Sequence, residues 1–482
     1  MAPRPILTVA EMARADRAAV EAGTPVLVLM QRAGRAVARA MEARFERQPV
    51  RILCGPGDNG GDGYVAAAEL SARGWPVVVE ALAPPATAAA RAARDAWPGP
   101  AVPWGEEGPE RLVVDALFGA GLNRPLDAPV VRRLEALARR SAQLVAVDVP
   151  SGISGDTGSP VGPAAASAVL TVTFQARKPA HVLLPGRERC GEIVVADIGL
   201  GVLESRLFEN DPDLWLDRFP WPGAAGHKHS RGRLGVISGG PWNTGAARLA
   251  ARAGLRAGAG LVTLVSPRDA LAVNAAHVEA IMLAPGDDAE EVGEACSEMD
   301  AVVVGPAAGV GEVTRDKVLA LGRTGAALVI DADAITVFRG APAELFALLD
   351  VDDVLTPHAG EFERLFPGLL AASVTRIEAT REAARRAGAV VLLKGGDTVV
   401  AHPDGRAAVS LNAPPWLATA GSGDVLAGFI GGLLAQGTGG FDAACAGAWI
   451  HGEAAERFGP GLISEDLPDL APAVLSDLFA RH

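Results

Sequence analysis

The chain has 482 residues, 49% of them hydrophobic, which is enough for two domains that each bury a sizeable core. Its formal charge of -13 argues against a nucleic-acid or anionic-membrane surface, so any phosphate binding must be local. The cysteines Cys54, Cys190, Cys296 and Cys445 lack disulfide or zinc spacing and are expected to be buried free thiols. With no signal-peptide segment or stretch of membrane-spanning length, we predict a soluble cytoplasmic protein.

Short apolar segments alternate with Ala- and Arg-rich helical stretches through the first half of the chain. Continuous apolar runs between helices are typical of a mainly parallel sheet covered on both faces. We therefore predict an α/β domain. Its predicted strands are 50–53, 77–82, 112–115, 144–149, 169–174 and 193–196.

The first strand leads directly into a glycine-rich loop, GPGDNGGDG at 55–63, and a helix is predicted over 64–73. Glycines let backbone N–H groups approach an anion, and a helix N-terminus adds partial positive charge there. The loop also carries Asp58, Asn59 and Asp62, so a plain tight turn is the weaker interpretation. The pattern predicts a ligand site at the carboxyl end of this strand.

Two further strands of the first half end in aspartate. Asp115 closes LVVD and Asp148 closes LVAVD, and each is followed by a glycine-containing loop. In a doubly wound sheet these strand ends lie side by side, which would bring Asn59, Asp115, Asp148 and Ser151 around one crevice. The alternative is that each Asp caps its own turn. Two such residues beside a glycine loop favour a site.

A change of composition divides the chain. Residues 211–233 cluster proline, glycine, histidine and tryptophan, which interrupts regular elements and marks a boundary. We predict a first domain at 1–212, a linker at 213–226 and a second α/β domain at 227–482. The second strand series is LGVIS, GLVTLVS, AVVVG, ALVID, DVLT, VVLLKG, TVVAH and AAVSL.

A second glycine-aspartate loop, TAGSGDVLAG at 419–428, precedes a strongly helical segment. Ser422, Gly423 and Asp424 are therefore predicted near a helix N-terminus, whose N–H groups form an anion hole. Asp424 is placed to act as a base on a hydroxyl that attacks phosphorus. The alternative, Asp424 as a helix cap without chemistry, is weakened by the surrounding glycines.

Four motifs of the first half resemble the NAD(P)H-hydrate epimerase family: GPGDNGGDGY, VVDALFGAGLNRP, VDVPSG and TFQARKP. The resemblance implies a Rossmann-like, three-layer fold that binds a hydrated dinucleotide and a potassium ion. The implied potassium ligands are Asn59, Asp115 and Ser151, whose oxygens suit a hard cation. The implied acid/base pair is Asp148 and Lys178. The implied dinucleotide contacts are Asp58, Asn59, Gly60, Gly61, Asp62, Gly119, Ala120, Gly121, Leu122, Asn123, Arg124, Pro125 and Asp148.

The second half resembles the ADP-dependent NAD(P)H-hydrate dehydratase family, which has a ribokinase-like fold. The matching segments are WNTGAARLAARAGLRAGAGLVT, LTPHAGEFERL, VLLKGGDTVV and TAGSGDVLAG, in that order. The resemblance implies that ADP is the co-substrate, that Mg²⁺ assists and that Asp424 is catalytic. The implied hydrate contacts are Ala246, Gly309, His358 and Asp424. The implied nucleotide contacts are Lys394, Gly395, Gly396, Asp397, Thr398 and Gly423.

Together the two resemblances imply one repair reaction sequence on NADH hydrate and NADPH hydrate. The first domain would interconvert the R and S forms, and the second would dehydrate the S form at the expense of ADP. A homo-oligomer without nucleic-acid or membrane partners is expected. The alternative is a kinase of a small alcohol or vitamin precursor fused to a non-catalytic Rossmann-like interaction module, because one fold supports many functions.

Overall fold

The computed structural model describes residues 3–106, 108–201, 203–223 and 227–482. It divides into two compact units, one of residues 5–205 and the other of 206–482 together with Pro3 and Arg4. The division thus falls before residue 206 rather than after 212. Residues 224–226 of the predicted linker lie outside the described residues. Within the described residues, no helix has the length and apolar character needed to cross a membrane.

The sheet of the first unit has seven strands, and all neighbouring pairs are parallel. The strands are β1 (Val50–Cys54), β2 (Val77–Ala81), β3 (Ala101–Val102), β4 (Leu112–Ala116), β5 (Gln143–Val147), β6 (Leu170–Phe174) and β7 (Glu192–Ala196). Their order is β3-β2-β1-β4-β5-β6-β7, so the winding reverses between β1 and β4. All the predicted strands are present, and β3 is an addition to them.

Helices cover both faces of this sheet. Along the strands, side chains alternate between two cores: Ile52 and Val114 belong to one, and Leu53 and Val113 to the other. The predicted three-layer α/β arrangement is therefore confirmed. The helices are α1 (Val9–Glu21), α2 (Val26–Glu42), α3 (Asp58–Ala72), α4 (Ala88–Asp95), α5 (Ala128–Arg139) and α6 (Gly186–Arg189).

Helix α3 begins at Asp58, so the predicted helix start at residue 64 is wrong. Most of the glycine-rich segment is the first two turns of the helix rather than a loop. A Cβ at Gly60 would lie 1.9 Å from the carbonyl oxygen of Gly55, and one at Gly63 would lie 2.6 Å from the Cβ of Ala116. These glycines therefore let the helix N-terminus press against the ends of β1 and β4.

The sheet of the second unit has ten strands. They are β8 (Leu207–Glu209), β9 (Arg233–Ile237), β10 (Leu261–Ser266), β11 (Met282–Pro285), β12 (Ala301–Val304), β13 (Ala327–Ile330), β14 (Val354–Leu355), β15 (Val390–Leu393), β16 (Val399–Ala401) and β17 (Ala407–Val409). Their order is β11-β10-β9-β12-β13-β14-β15-β16-β17-β8, with β16 antiparallel to both neighbours. The winding reverses between β9 and β12. The predicted strand series is confirmed, and β8 and β11 are additions.

The helices of the second unit include a closely packed pair that carries the second glycine-aspartate motif. One helix of the pair begins at Gly245 and the other at Ser422. A Cβ at Gly428 would lie 2.1 Å from the carbonyl oxygen of Ala250, so these two helices touch along their backbones. The helices are α7 (Gly245–Ala257), α8 (Arg268–Ala275), α9 (Ala289–Ala295), α10 (Glu312–Leu321), α11 (Ala332–Thr336), α12 (Pro342–Phe346), α13 (Ala359–Leu365), α14 (Leu369–Ala372), α15 (Arg376–Ala387), α16 (Ser422–Ala435), α17 (Gly440–Phe458) and α18 (Leu467–Phe479).

The described part of the predicted linker, 213–223, is largely packed structure. Two short 3-10 helices, Pro212–Leu214 and Leu216–Arg218, flank Trp215, which is 1% exposed in the core of the second unit. The indole N–H of Trp215 donates to Asn210 Oδ1 at 3.2 Å. The proline and tryptophan residues of this segment end regular structure. Burial of the Trp215 indole nevertheless anchors the segment in the core of the second unit.

A buried ion cluster ties three elements of the first unit together. Glu80 on β2 is fully buried and accepts hydrogen bonds from Arg51 Nη1 at 3.0 Å and from Arg133 Nε at 2.9 Å. The backbone N–H of Gly105 donates to the same carboxylate at 2.8 Å. Glu80 is therefore shared between two buried guanidinium groups.

Glu80→Gln should lower the free energy of unfolding of the first unit by about 3 kcal/mol, because both guanidinium groups lose their shared negative charge in a buried setting. The urea dependence of hydrogen exchange in β1 and β2 peptides of the full chain measures this change. Glu135→Gln is the matched control, since Glu135 and Arg139 form an exposed pair at 3.7 Å and should contribute less than about 1 kcal/mol. Equal effects of the two variants would contradict the assignment.

Candidate functional site

The first unit contains a cavity of about 880 Å³ where β1 and β4 end, at the reversal of winding. This is the position at which open α/β sheets bind ligands. Among the predicted binding residues, Gly60 and Gly61 are instead buried in α3, and Pro125 is exposed. The predicted site residues that line the cavity are Asp58, Asn59, Asp62, Gly119, Ala120, Gly121, Leu122, Asn123, Arg124, Asp148 and Lys178.

Asp148 and Lys178 form an ion pair on the cavity wall. The Lys178 ammonium lies 2.8 Å from Asp148 Oδ1 and also donates to Thr173 Oγ1 at 2.8 Å. The Thr173 hydroxyl donates in turn to Asp148 Oδ1 at 3.0 Å, and the Ala120 N–H donates to Oδ2 at 2.9 Å. Burial opposes ionisation, but the Lys178 charge and the hydrogen bonds from Lys178 and the Ala120 N–H together outweigh it and lower the pKa of Asp148 to about 2. Asp148 is thus a carboxylate at neutral pH.

The backbone around this pair is constrained. Asp148 has a φ of +68°, a conformation that costs a non-glycine residue free energy and is often found at functional sites. His181 supports it: its Nε2 lies 2.8 Å from the Asp148 carbonyl oxygen, and its Nδ1 accepts from the Lys178 N–H at 2.8 Å. Burial and the Lys178 charge lower the pKa of His181 to about 4, so its ring is neutral. Sequence reasoning missed His181, although it follows Lys178 by three residues.

Asp115 and Ser151 form a buried hydrogen-bonded pair, as the shared-crevice prediction expects. Ser151 donates through Oγ to Asp115 Oδ1 at 2.6 Å and through its N–H to Oδ2 at 2.8 Å. Burial raises the pKa of Asp115, although the Ser151 hydrogen bonds favour the charged form. Asn59 and Asp148 both lie beside Gly119, because a Cβ there would be 3.0 Å from Asn59 Oδ1 and from Asp148 Oδ2.

Helix α1 adds residues to the cavity that sequence reasoning missed. Met12, Asp16 and Arg17 line it, and their spacing on one helix face was the available signal. Burial raises the pKa of Asp16 and also that of Asp62, which is raised further by the carboxylate of Asp148. Among the carboxylates of the cavity, Asp148 is thus strongly ionised, whereas Asp16 and Asp62 protonate more easily.

In the second unit, the predicted residues Lys394, Gly423 and Asp424 lie together. Lys394 Nζ is 2.7 Å from Asp331 Oδ1, and a Cβ at Gly423 would be 3.4 Å from the same ammonium. Gly423 and Asp424 are in the first turn of α16, as predicted. Burial and the Asp331 charge raise the pKa of Asp424 to about 6, against the lowering effect of Lys394. This is a carboxylate poised to accept a proton near neutral pH.

The segment from Lys394 to Thr398 forms a closed turn. The Thr398 hydroxyl donates to the Gly395 carbonyl oxygen at 2.7 Å and accepts from the Gly395 N–H at 3.1 Å. Arg376 holds the turn from outside, through the Lys394 carbonyl at 3.1 Å and an ion pair with Asp397 at 3.2 Å. Lys394, Gly395, Gly396, Thr398 and Gly423 line a cavity of about 400 Å³. Asp397 is buried behind the turn.

Of the four predicted hydrate contacts, His358 lines the cavity of about 400 Å³, whereas Ala246, Gly309 and Asp424 are not among its lining residues. His358 lines the same cavity as Lys394 and caps α13, its Nδ1 accepting from the Gly360 N–H at 2.9 Å. Ala246 lies in the first turn of α7, after β9. Gly309 lies after β12, with a φ of +87°, and its N–H donates to Asp333 Oδ2 at 2.9 Å. Ala246 and Gly309 thus follow the two strands between which the winding reverses.

Sequence reasoning missed Asp331 and Glu361, which both lie near Lys394. Asp331 is 1% exposed at the end of β13, and Glu361 Oε2 lies 3.9 Å from the ammonium. The sequence did contain a signal for Asp331. The segment ALVID ends in Asp331 in the same way that LVVD ends in Asp115 and LVAVD ends in Asp148. Gly305 packs against it: a Cβ there would lie 1.8 Å from the Asp331 carbonyl oxygen.

Two family descriptions match the chain, one in each unit. The family described as YjeF-related protein N-terminus matches residues 26–180. The family described as NAD(P)H-hydrate dehydratase matches residues 234–469. The matched ranges contain both lysine-aspartate pairs, whereas Met12, Asp16, Arg17 and His181 of the first site lie outside them.

Relatives match along almost the whole length of the chain. A bifunctional NAD(P)H-hydrate repair enzyme of Salinibacter ruber is 36% identical over 99% of this chain and 97% of its own. The enzyme of that name in Moorella thermoacetica is 37% identical over 98% of this chain and 97% of its own. A ribokinase-like superfamily protein of Enterococcus faecalis shows the fold alone, with a TM-score of 0.50 and 20% identity over 58% of this chain and 98% of its own. The chain therefore belongs to the family of bifunctional NAD(P)H-hydrate repair enzymes, which combine an epimerase and a dehydratase.

Proposed function

We propose that this chain repairs hydrated NADH and NADPH, with the first unit interconverting the R and S hydrates and the second dehydrating the S form with ADP. The observation that carries the proposal is a lysine-aspartate ion pair at the carboxyl end of the parallel strands of each sheet: Lys178 with Asp148, and Lys394 with Asp331. Each pair adjoins a glycine-rich motif that brings a helix N-terminus to the same edge. The two pairs have different surroundings, as two different reactions require.

In the second unit, the proposed step is phosphoryl transfer from ADP to the ring hydroxyl. Asp424 accepts the hydroxyl proton, the oxygen attacks the β-phosphorus, and AMP leaves. The phosphorylated oxygen then departs as inorganic phosphate, driven by the ring nitrogen lone pair, and loss of a ring proton restores the dihydronicotinamide. Lys394 and the N–H groups of the first turn of α16 bind the transferred phosphoryl oxygens.

Mg²⁺ fits this site by the chemistry of its residues. No group of three or more His, Cys, Asp or Glu side chains arranged to hold a metal ion occurs among the residues the structure describes. Phosphoryl-transfer sites commonly hold Mg²⁺ with one or two carboxylates and the nucleotide phosphates. Asp331 offers such a carboxylate, because its Oδ1 binds Lys394 while its Oδ2 would be 3.8 Å from a Cβ at Gly423. The ion would neutralise phosphate charge when bound.

Asp424→Asn should lower kcat for ADP-dependent recovery of NADH from S hydrate by about 100-fold or more, because an amide does not accept the hydroxyl proton. The KM for ADP should change far less. Recovery of dihydronicotinamide absorbance measures both quantities. Asp404→Asn, in the exposed turn between β16 and β17, is the matched control. Normal turnover by Asp424→Asn would refute the role, and a stable phosphorylated product made preferentially with ATP would favour the kinase alternative.

In the first unit, Asp148 and Lys178 are proposed as the acid/base pair. The ionised carboxylate and the ammonium, 2.8 Å apart, are a proton acceptor and a proton donor on the same cavity wall. Epimerisation breaks and reforms a bond at the hydrated carbon, so a proton must move to a leaving oxygen or nitrogen and return. Both the loss of water and the opening of the ring satisfy this requirement.

Asp148→Asn should abolish use of R hydrate while leaving ADP-dependent use of S hydrate intact in the same chain. The reason is that the amide neither accepts the proton nor balances the Lys178 charge. Spontaneous epimerisation sets the background, so initial rates with purified R hydrate are the measurement. Asp95→Asn, whose side chain is 71% exposed, is the control. Unchanged R-hydrate turnover in Asp148→Asn would contradict the assignment.

Potassium is proposed at Asn59, Asp115 and Ser151. The set offers only oxygen ligands, which a hard cation prefers, and Asp115 is a fully buried carboxylate whose charge a cation would compensate. Among the residues that the structure describes, the buried Nδ2 of Asn59 has no hydrogen-bond partner; because Nδ2 is a donor, it would serve a ligand oxygen and leave Oδ1 for the ion. When bound, the ion would supply positive charge close to the dinucleotide pyrophosphate.

Asp115→Ala should weaken binding of R hydrate by about tenfold or more, because loss of the buried carboxylate removes both the ion's charge partner and the Ser151 contact. Calorimetric titration in potassium buffer and in tetramethylammonium buffer measures the effect. The original protein should lose affinity on removal of potassium, whereas Asp115→Ala should be insensitive to it. Unchanged affinity in Asp115→Ala would count against the shared crevice.

A homo-oligomer, a cytoplasmic location and the absence of nucleic-acid or membrane partners belong to the same proposal. The acidic net charge supports the last of these. All four cysteines are free and buried, which suits a reducing compartment.

A further inference from the structure

A buried histidine lies beside the N-terminus of α16, and the proposed mechanism does not use it. His451, on α17, is 7% exposed. Its Nε2 lies 3.1 Å from the Oγ of Ser422 and 3.0 Å from the Ser422 carbonyl oxygen. Ser422 is the first residue of α16, directly before Gly423 and Asp424.

The protonation of the ring follows from these contacts. A carbonyl oxygen only accepts hydrogen bonds, so Nε2 carries the hydrogen that lies between His451 and the Ser422 carbonyl. Burial, aided by the positive charge of Lys394 and opposed by the hydrogen bond to the Ser422 carbonyl, lowers the pKa of His451 to about 4, so the ring is neutral near neutral pH. The Nε2–H group faces both Ser422 oxygens. The Ser422 hydroxyl therefore accepts in this contact, and its own hydrogen is free to donate elsewhere.

That hydrogen has a cavity to point into. Ser422, Gly423, Lys394 and His451 all line the cavity of about 400 Å³ in the second unit. Within the described residues, the Ser422 hydroxyl has the His451 ring as its hydrogen-bond partner. A hydroxyl donor beside a helix N-terminus and an ammonium group is suited to a phosphate oxygen.

The ring is fixed by its neighbours. Phe429 packs against it edge-on, with ring centroids 6.4 Å apart. At the next residue, a Cβ on Gly452 would lie 2.0 Å from the Asn412 carbonyl oxygen, so α17 is held closely against that loop. A fixed ring keeps the Nε2–H group aimed at Ser422.

We propose that His451 is a positioning residue that holds the Ser422 hydroxyl as a hydrogen-bond donor to a phosphate of the nucleotide in this cavity. This inference rests on the proposed function, because it takes ADP as the occupant. Ser422 would contact the phosphate, and His451 would act only through Ser422. Loss of either member should then remove the same hydrogen bond.

The test is a double-mutant cycle on the KM for ADP in the full chain, with Ser422→Ala, His451→Leu and the double variant. Each single variant should raise the KM by about tenfold, which is the effect of losing one hydrogen bond to a charged group. The KM of the double variant should be no higher than that of the more impaired single variant. His451→Gln should restore a KM close to the original, because its amide N–H donates from a similar position. His402→Leu, the same substitution outside the cavity, should leave the KM unchanged.

Independent losses that multiply in the double variant would overturn the inference, as would an unchanged KM in His451→Leu or in Ser422→Ala. His451→Gln could also fail to restore the KM and have a thermal midpoint as low as that of His451→Leu. That result would show that His451 has a merely structural role, and it would overturn the inference. Failure of the original protein to turn over S hydrate with ADP would instead refute the proposed function. Calorimetric binding of ADP to the same variants then decides the inference separately.

Discussion

Close approach of backbone to backbone at glycine is the constraint on which both sites depend. In the first unit Gly60 lies so near the Gly55 carbonyl that a Cβ would be 1.9 Å away, and in the second Gly305 lies equally near the Asp331 carbonyl, at 1.8 Å. No side chain fits at either position. As a result, a helix N-terminus reaches the carboxyl edge of one sheet, and a strand-end aspartate is fixed at the edge of the other.

A buried aspartate carboxylate needs a positive charge beside it. Each unit provides a lysine at the carboxyl end of its sheet, Lys178 for Asp148 and Lys394 for Asp331. The surroundings then separate the two chemistries. Three contacts to Asp148 stabilise its negative charge, so its carboxylate stays ionised and its pKa falls to about 2. Asp424 instead has Asp331 as a neighbour and is partly buried, so its pKa rises to about 6. One carboxylate holds its charge, whereas the other takes up a proton readily.

The sequence predicted best what depends on local pattern. Apolar runs gave the strands, and strand-end aspartates gave the crevice that contains Asp148. Prediction failed where tertiary packing overrides composition. The glycines after Asp58 suggest a loop, yet they form a helix because they pack against β1 and β4. The segment around Trp215 suggests a linker, yet Trp215 fills part of the core of the second unit. His451 was missed because its role depends on a contact with Ser422, 29 residues away in the sequence. The family resemblance is confirmed by relatives that match along the full chain.

The most direct test of the central claim, that two unlike sites share one repair sequence, is to supply pure R and pure S hydrate with and without ADP and to follow recovery of dihydronicotinamide absorbance. We expect recovery from both hydrates, dependent on ADP in each case, with R hydrate consumed faster than it epimerises spontaneously. Recovery from S hydrate alone, with R hydrate left at its spontaneous rate, would contradict an active first unit. Recovery without ADP would contradict phosphoryl transfer in the second.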